Sequence, residues 1–189
     1  MKLIERSKVL LPNLDSKGRP TCLTNPDDTY CEIVPNYPNK TLKQEIEFSP
    51  IEFLEIFGNK IDGRKSYIDD DLSEVRVCRR IPKVIYPQMA KNQANQWIYV
   101  VNEVEYIQAV VAEICESDGK SCAYLDQNLP PGMYSRCRQK YSYKRLLALH
   151  PTEKRTYSDK FKFPSCCACY VKTNDLLSRS IKTSRRKRL

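Results

Sequence analysis

The chain has 189 residues, 41% of them hydrophobic, nine cysteines and a formal net charge of +9. That leaves room for one or two small domains, and a mean hydropathy of −0.59 allows only a modest core. No window approaches the roughly 18 uninterrupted apolar residues of a membrane helix, so bilayer insertion is not expected, and cysteine usage about twice the ordinary level points to an oxidising compartment.

The first residues, Met1-Lys2-Leu3-Ile4-Glu5-Arg6, carry charge where a signal peptide needs an apolar stretch of roughly 7–15 residues. The expectation is a truncated or alternative start to a secreted chain. Residues 1–64 are rich in Pro, Asn and Asp, with turn signals at Asn25-Pro26-Asp27-Asp28 and Asn36-Tyr37-Pro38. They predict a lightly structured, largely disordered extension with one short amphipathic stretch, Pro50 to Phe57, in which Ile51, Phe53, Leu54 and Phe57 are apolar. Cys22 and Cys31 are placed to close a local loop. Asn39-Lys40-Thr41 is an N-glycosylation sequon that puts Asn39 at the surface of a secreted chain; chance occurrence is the plainer alternative.

Next comes the polar stretch Asn59-Lys60-Ile61-Asp62-Gly63-Arg64-Lys65-Ser66, then Asp69-Asp70-Asp71. Residues 65–75 read as a linker. A Gly-Arg step in such a stretch enters a trypsin-like protease cleft readily, and cleavage is expected at Arg64 or nearby. An ordinary basic loop residue is the alternative.

From Cys78 the pattern changes. Val84-Ile85-Tyr86 and Gln96-Trp97-Ile98-Tyr99-Val100-Val101 read as strands, rich in β-branched and aromatic residues. Tyr106 to Ile114 fits a helix through Ile107, Val110, Val111 and Ile114, and a strand more loosely. Tyr141 to Leu149 and Arg155 to Phe163 flank Pro151-Thr152-Glu153-Lys154 and predict a long hairpin running into Pro164-Ser165-Cys166-Cys167-Ala168-Cys169. Residues 174–189 form a basic, apolar-poor tail, expected to be disordered. Its Arg185-Arg186-Lys187-Arg188 run matches a furin-type site; it reads first as a solvated tail and second as a site for anionic glycans or cell surfaces.

Charge is unevenly divided: residues 1–74 carry −4 and residues 75–189 carry +13. Two such halves are suited to lie against each other, although both are equally readable as solvated faces. A nucleic-acid partner is not expected, because no nucleic-acid motif is present and six basic residues fall in the tail from Arg179 onward.

The cysteines carry the functional argument. Successive residues of a strand face opposite ways, so Cys167 and Cys169 point together while Cys166 points away. Six inward half-cystines, Cys78, Cys115, Cys122, Cys137, Cys167 and Cys169, permit fifteen pairings, and spacing does not choose among them. One of these, Cys115–Cys167 with Cys122–Cys169, closes a covalent ring through the Asp118-Gly119 turn and leaves Cys78 and Cys137 for a third bridge. Cys166 is left over, free for another chain.

Cys78-Arg79-Arg80, Val84-Ile85-Tyr86-Pro87, Gln96-Trp97-Ile98-Tyr99-Val100-Val101-Asn102, Glu105-Tyr106, Ile114-Cys115-Glu116, Cys122, Cys137 and Phe163-Pro164-Ser165-Cys166-Cys167-Ala168-Cys169 together resemble the Spätzle family of secreted cystine-knot ligands of Toll receptors. Tyr141-Ser142-Tyr143-Lys144-Arg145 with the terminal Cys-x-Cys is similar, more distantly, to neurotrophins. Tyr30-Cys31 and Val34-Pro35-Asn36-Tyr37-Pro38 resemble that family's prodomain. The resemblance spans residues 76–173 and implies an all-β cystine-knot domain of extended hairpins, preceded by a prodomain over 1–64. It implies bridges Cys78–Cys137, Cys115–Cys167 and Cys122–Cys169, with Cys166 joining two protomers into a homodimer, and a strand over Tyr106 to Ile114. It also implies activation by a trypsin-like or furin-like protease. The product would bind the leucine-rich-repeat ectodomain of a Toll receptor in immune, developmental or neurotrophic signalling. A cystine-knot antagonist or matrix protein that sequesters another factor without signalling is the alternative.

Trp97 is the only tryptophan; in a strand it is usually core, and in a ligand it is also suited to be an interface anchor. Tyr86 and Tyr99 join it as candidate receptor contacts, and the prodomain is suited to cover such apolar surface until cleavage. No catalytic site is apparent: His150 sits in a hairpin turn without a nucleophile, and no phosphate-cradling glycine loop exists. Cys166, Cys167 and Cys169 lack the Cys-x-x-Cys pair and histidines that zinc favours, so no metal or cofactor is expected.

Overall fold

The computed structural model describes residues 12–48, 75–103, 106–153 and 155–173. In chain order the elements are β1 (Tyr30–Cys31), α1 (Asn39–Phe48), β2 (Arg80–Ile85), β3 (Met89–Lys91), β4 (Trp97–Tyr99), β5 (Val110–Cys115), a 3-10 turn (Asp126–Asn128), β6 (Met133–Leu149) and β7 (Thr156–Thr173). The fold is all-β with one short helix. Strands β1, β3 and β4 form one sheet in that order, while β2 pairs with β5 and β6 with β7. The long hairpin of β6 and β7 closes with the His150 amide donating to the Arg155 carbonyl at 2.8 Å.

The chain divides into two compact units. The first is drawn from Met1–Tyr67, Val84–Val110 and Ser142–Phe163, the second from Ile68–Lys83, Val111–Tyr141 and Pro164–Leu189. In the first, β1 pairs antiparallel with β3 (Tyr30 with Ala90, Cys31 with Met89) and β3 pairs antiparallel with β4 (Ala90 with Ile98). Asn95 takes a left-handed φ of 63° in the β3–β4 turn, and Asn92 Oδ1 accepts from the Gln96 amide at 2.8 Å. Asn95 tolerates that backbone region, and the side chain of Asn92 supplies an acceptor within the turn. Leu42 and Ile46, one helical turn apart, are buried on a single face of α1. A ten-residue helix is marginal by itself, so this packing is what stabilises it. Cys31, Val34, Leu42 and Ile46 share one core with Met89, Trp97, Tyr99, Val101, Leu147 and Leu149.

That core differs from the lightly structured extension expected of residues 1–64. Residues 12–48 contribute a strand, a helix and four buried core side chains. The Pro- and Asn-rich composition gave turns, as it should, but the Leu42/Ile46 spacing and the lone pair Tyr30-Cys31 bury enough apolar surface to order the segment between them. The Pro50 to Phe57 stretch, Arg64, most of the 65–75 linker and the tail 174–189 lie outside the described residues.

The second unit holds the cysteine-rich parts of β5, β6 and β7. Its hydrophobic cluster consists of Cys78, Cys115, Cys122 and Cys137, with Leu125, Cys167 and Cys169 against it. Beyond these half-cystines its described residues bury little apolar volume, as expected where bridges stand in for a core.

Over Tyr106 to Ile114 the strand begins only at Val110. Tyr106 instead forms an isolated bridge with Glu103. Gln108 turns inward, where its Nε2 donates to the Val101 and Leu147 carbonyls at 2.6 and 2.9 Å and its Oε1 accepts from the Leu147 amide at 2.7 Å. A glutamine that satisfies three backbone groups this way takes the place of a ladder, which is why the strand pattern there is loose.

Candidate functional site

The bridge-bearing turn is built by Asp118 and Gly119. Gly119 has φ +78° with open space around it, a conformation that costs glycine nothing. Its amide donates to the Cys137 carbonyl at 2.9 Å, and the Cys137 amide donates to the Lys120 carbonyl at 2.8 Å. The segment from Cys115 to Cys122 is thereby held against β6.

Cys78 is joined to Cys137, Cys115 to Cys167 and Cys122 to Cys169, with Cα separations of 5.7, 4.8 and 6.0 Å. The sulfurs of Cys78, Cys122 and Cys169 lie within 4.8 Å of one another, and so do those of Cys78, Cys137 and Cys167. The Cys78–Cys137 bridge therefore touches both bridges that link segment 115–122 to segment 167–169, as a bridge passing through that ring must. These sulfurs are oxidised and offer no thiolate to a metal. Cys137 is fully buried, and Cys78, Cys115 and Cys122 nearly so.

Cys166 is the free cysteine and is half-buried. Its carbonyl accepts from Gln139 Nε2 at 3.1 Å, while Gln139 Oε1 accepts from the Cys115 amide at 2.7 Å and Nε2 also reaches the Glu113 carbonyl at 2.9 Å. One amide side chain on β6 thus links β5 and β7 beside the knot. Asp126 accepts hydrogen bonds from the Ser135 hydroxyl and amide. Those bonds, the hydroxyl first, then the Ser121 hydroxyl, hold the Asp126 carboxyl below its ordinary pKa against a slight desolvation effect. Glu113 pairs with Arg80, and Glu116 with Arg79 at 3.2 Å.

In the first unit Cys22 and Cys31 form a fourth bridge, closing the local loop before α1. Asn39 is exposed at the first residue of α1. Of the three aromatic candidates for receptor contact, Trp97 and Tyr99 are 7% and 6% exposed and only Tyr86 stands out, at 48%. The first two are unavailable while residues 12–48 are docked, because Cys31, Val34, Leu42 and Ile46 share their core. Polar bonds accompany this cover. The Cys31 and Thr29 carbonyls accept from the Gln88 and Lys91 amides at 2.9 Å each, and Thr29 Oγ1 donates to the Lys162 carbonyl at 2.7 Å. Sequence reading missed Tyr37, which ties residues 12–48 to the backbone after β4, and Gln139, which ties β5 to β7 beside the knot. For Tyr37 the available signal was an aromatic inside a Pro-flanked turn; Gln139 had none.

Three mutually packed bridges, two closing a ring and the third held between them, in an all-β frame of long hairpins, define a cystine-knot protein. The family model described as Spaetzle matches residues 75–171. The chain belongs to the Spaetzle family, a cystine-knot cytokine family. It is 32% identical over 186 residues to "Protein spaetzle 5" of Drosophila melanogaster, covering 88% of this chain and 46% of that one. It is 31% identical to "Neurotrophin 1" of the same organism, covering 64% of this chain and 14% of that protein. With "Protein spaetzle", also from Drosophila melanogaster, it shares 28% identity over 76% of this chain and 44% of the relative. The chain spans less than half the length of each of these relatives. A solved chain titled "Crystal structure of spatzle cystine knot" is 29% identical and matches 54% of this chain and 99% of its own length, with a TM-score of 0.35.

Proposed function

We infer that this chain is a secreted proprotein whose cystine-knot part, freed by a trypsin-like or furin-like protease at or near Arg64, forms a Cys166-linked homodimer that binds the leucine-rich-repeat ectodomain of a Toll receptor. The observation that carries this reading is Cys166. In a chain whose other eight cysteines are paired, it alone stays free. Two-fold symmetry makes one odd cysteine enough, since each copy meets its equivalent at the axis. A covalent dimer presents two identical surfaces, so its action is mechanical, bringing receptor chains together by binding alone. Membership of the Spaetzle family supports the receptor class. The core shared between residues 12–48 and Trp97 supports a cover that is removed for activity. Asn39, exposed, is the proposed glycosylation site.

Non-reducing electrophoresis of the oxidised, secreted product tests this. The wild type is expected at dimer size and Cys166→Ser at monomer size, with the other bridges unchanged by mass spectrometry. Receptor binding should appear on limited trypsin treatment; binding of equal strength before and after treatment, or a wild type running as a monomer, overturns the reading.

A further inference from the structure

On the part of β6 in the second unit, burial alternates strictly: Ser135 and Cys137 are buried, whereas Tyr134, Arg136, Arg138 and Lys140 are exposed. Arg136, Arg138 and Lys140 therefore stand in line on the face turned away from the knot. At about 3.4 Å per residue they are spaced at about 7 Å over about 14 Å. Lys140 Nζ lies 4.6 Å from the centre of the Tyr170 ring, which is itself part-exposed, so that cation is held over an aromatic face.

No described residue of the second unit forms an ion pair with this line. The unit's described residues include four carboxylates; two are spent on other arginines, and two accept from backbone amides of β6 without pairing with any of the three cations. Glu113 pairs with Arg80, Glu116 pairs with Arg79, Asp118 accepts from the Gln139 amide at 2.8 Å, and Asp126 is held by Ser135. Among the described residues, Arg136, Arg138 and Lys140 form no ion pair. Three cations in line on one strand, held from behind by Cys137 and without an ion pair among the described residues, repel one another, and a linear polyanion relieves that repulsion.

We propose that the Arg136/Arg138/Lys140 face of β6 is a binding surface for sulfated polysaccharide. Two guanidinium forks suit the oxygens of sulfate groups, and their regular spacing on a straight strand suits a chain of repeating charge. Four disulfides place the protein where thiols are oxidised, and the linear polyanion met in extracellular spaces is sulfated glycan, not nucleic acid. The surface needs neither the receptor nor the protease, so it stands or falls separately from the ligand reading.

The test is calorimetric titration of the full, oxidised chain with a heparin-derived decasaccharide at three salt concentrations. The triple variant Arg136→Gln, Arg138→Gln, Lys140→Gln should bind at least tenfold more weakly. Its log–log salt slope should be shallower by roughly two to three, since cations docking on a polyanion release counterions in proportion to their number. A control variant, Lys17→Gln, Arg19→Gln, Lys43→Gln, should stay within twofold of wild type, and mass mapping of the bridges establishes that both variants fold. The proposal is overturned by a β6 variant that binds like wild type. It is equally overturned by a control that loses as much, by loss of all binding on truncation after Thr173, or by a single-stranded DNA of equal charge binding as tightly as the decasaccharide.

Discussion

The Tyr37 hydroxyl accepts a hydrogen bond from the Asn102 amide at 2.9 Å and donates its own proton to the Val100 carbonyl at 2.5 Å. A single phenol from the N-terminal segment thus closes two backbone groups just beyond β4, and its ring stacks edge-on to Tyr99 with centroids 6.0 Å apart. Tyr37→Phe keeps the ring and removes both bonds. A part-buried amide left without an acceptor costs about 1–3 kcal/mol. The variant should therefore unfold at lower urea, with faster hydrogen exchange at the Asn102 amide; an unchanged midpoint together with unchanged exchange would show that the bond contributes nothing.

The same phenol sets a pH limit. Burial, with a smaller effect from the Glu103 charge, pushes the Tyr37 pKa far above its ordinary value despite the Asn102 amide bond. Burial and then Asp159 push Tyr157 up to about 12, and burial raises Tyr99. In the unfolded chain all three titrate near 10. The folded state holds their protons longer, so stability must fall as pH rises beyond that point. The contribution is complete below about pH 10 and is lost as pH climbs through the value for Tyr157. Melting temperature should be flat from pH 7 to 9 and decline from 10 upward, and Tyr37→Phe should flatten that decline. A wild-type curve that stays level to pH 11 contradicts these assignments.

Bridges close loops of very different length. Cys78–Cys137 spans a sequence separation of 59, Cys22–Cys31 only 9. Chain-entropy arguments give about 4 kcal/mol for the first and about 3 for the second. Paired Cys→Ala replacement of Cys78 and Cys137 also opens a gap among packed sulfurs, since Cys137 has no exposure and Cys78 Sγ lies 3.6 Å from Cys122 Sγ. That double variant should lose clearly more stability in urea than Cys22→Ala, Cys31→Ala. Equal losses would mean that the central bridge is not the keystone its position implies.

The β frame was readable because alternation and β-branched runs are local properties: Trp97 to Tyr99 and the two long arms of the hairpin need only their own residues to declare themselves. So was the opposed facing of Cys166 and Cys167, which follows from neighbouring positions on a strand. What escaped is non-local. Leu42 and Ile46 make a helix worth forming only because Trp97 and Leu147 complete their core, and composition in between reads as turn. Gln108 and Gln139 look like ordinary polar residues until the backbone groups they satisfy, as far away as Leu147 and Cys166, are in place. Trp97 shows both sides of the matter. Its strand was legible, but what covers it lies far upstream.

That cover makes the last prediction. Trp97, as the only tryptophan, is the sole source of indole emission, and at 7% exposure that emission should lie to the blue. Trypsin cleavage between residues 48 and 75 breaks no bond of the core that Trp97 shares with Val34, Leu42 and Ile46, so the spectrum should not move on cutting alone. It should shift to the red, and a hydrophobic dye should begin to bind, only when the N-terminal fragment is separated. Leu42→Ala removes buried volume from that core at a cost of about 2–5 kcal/mol. In the cut variant, separation should therefore need less denaturant than in the cut wild type. An emission maximum that stays blue in the purified C-terminal fragment would mean that Trp97 is buried by its own domain, and that residues 12–48 are not what hides it.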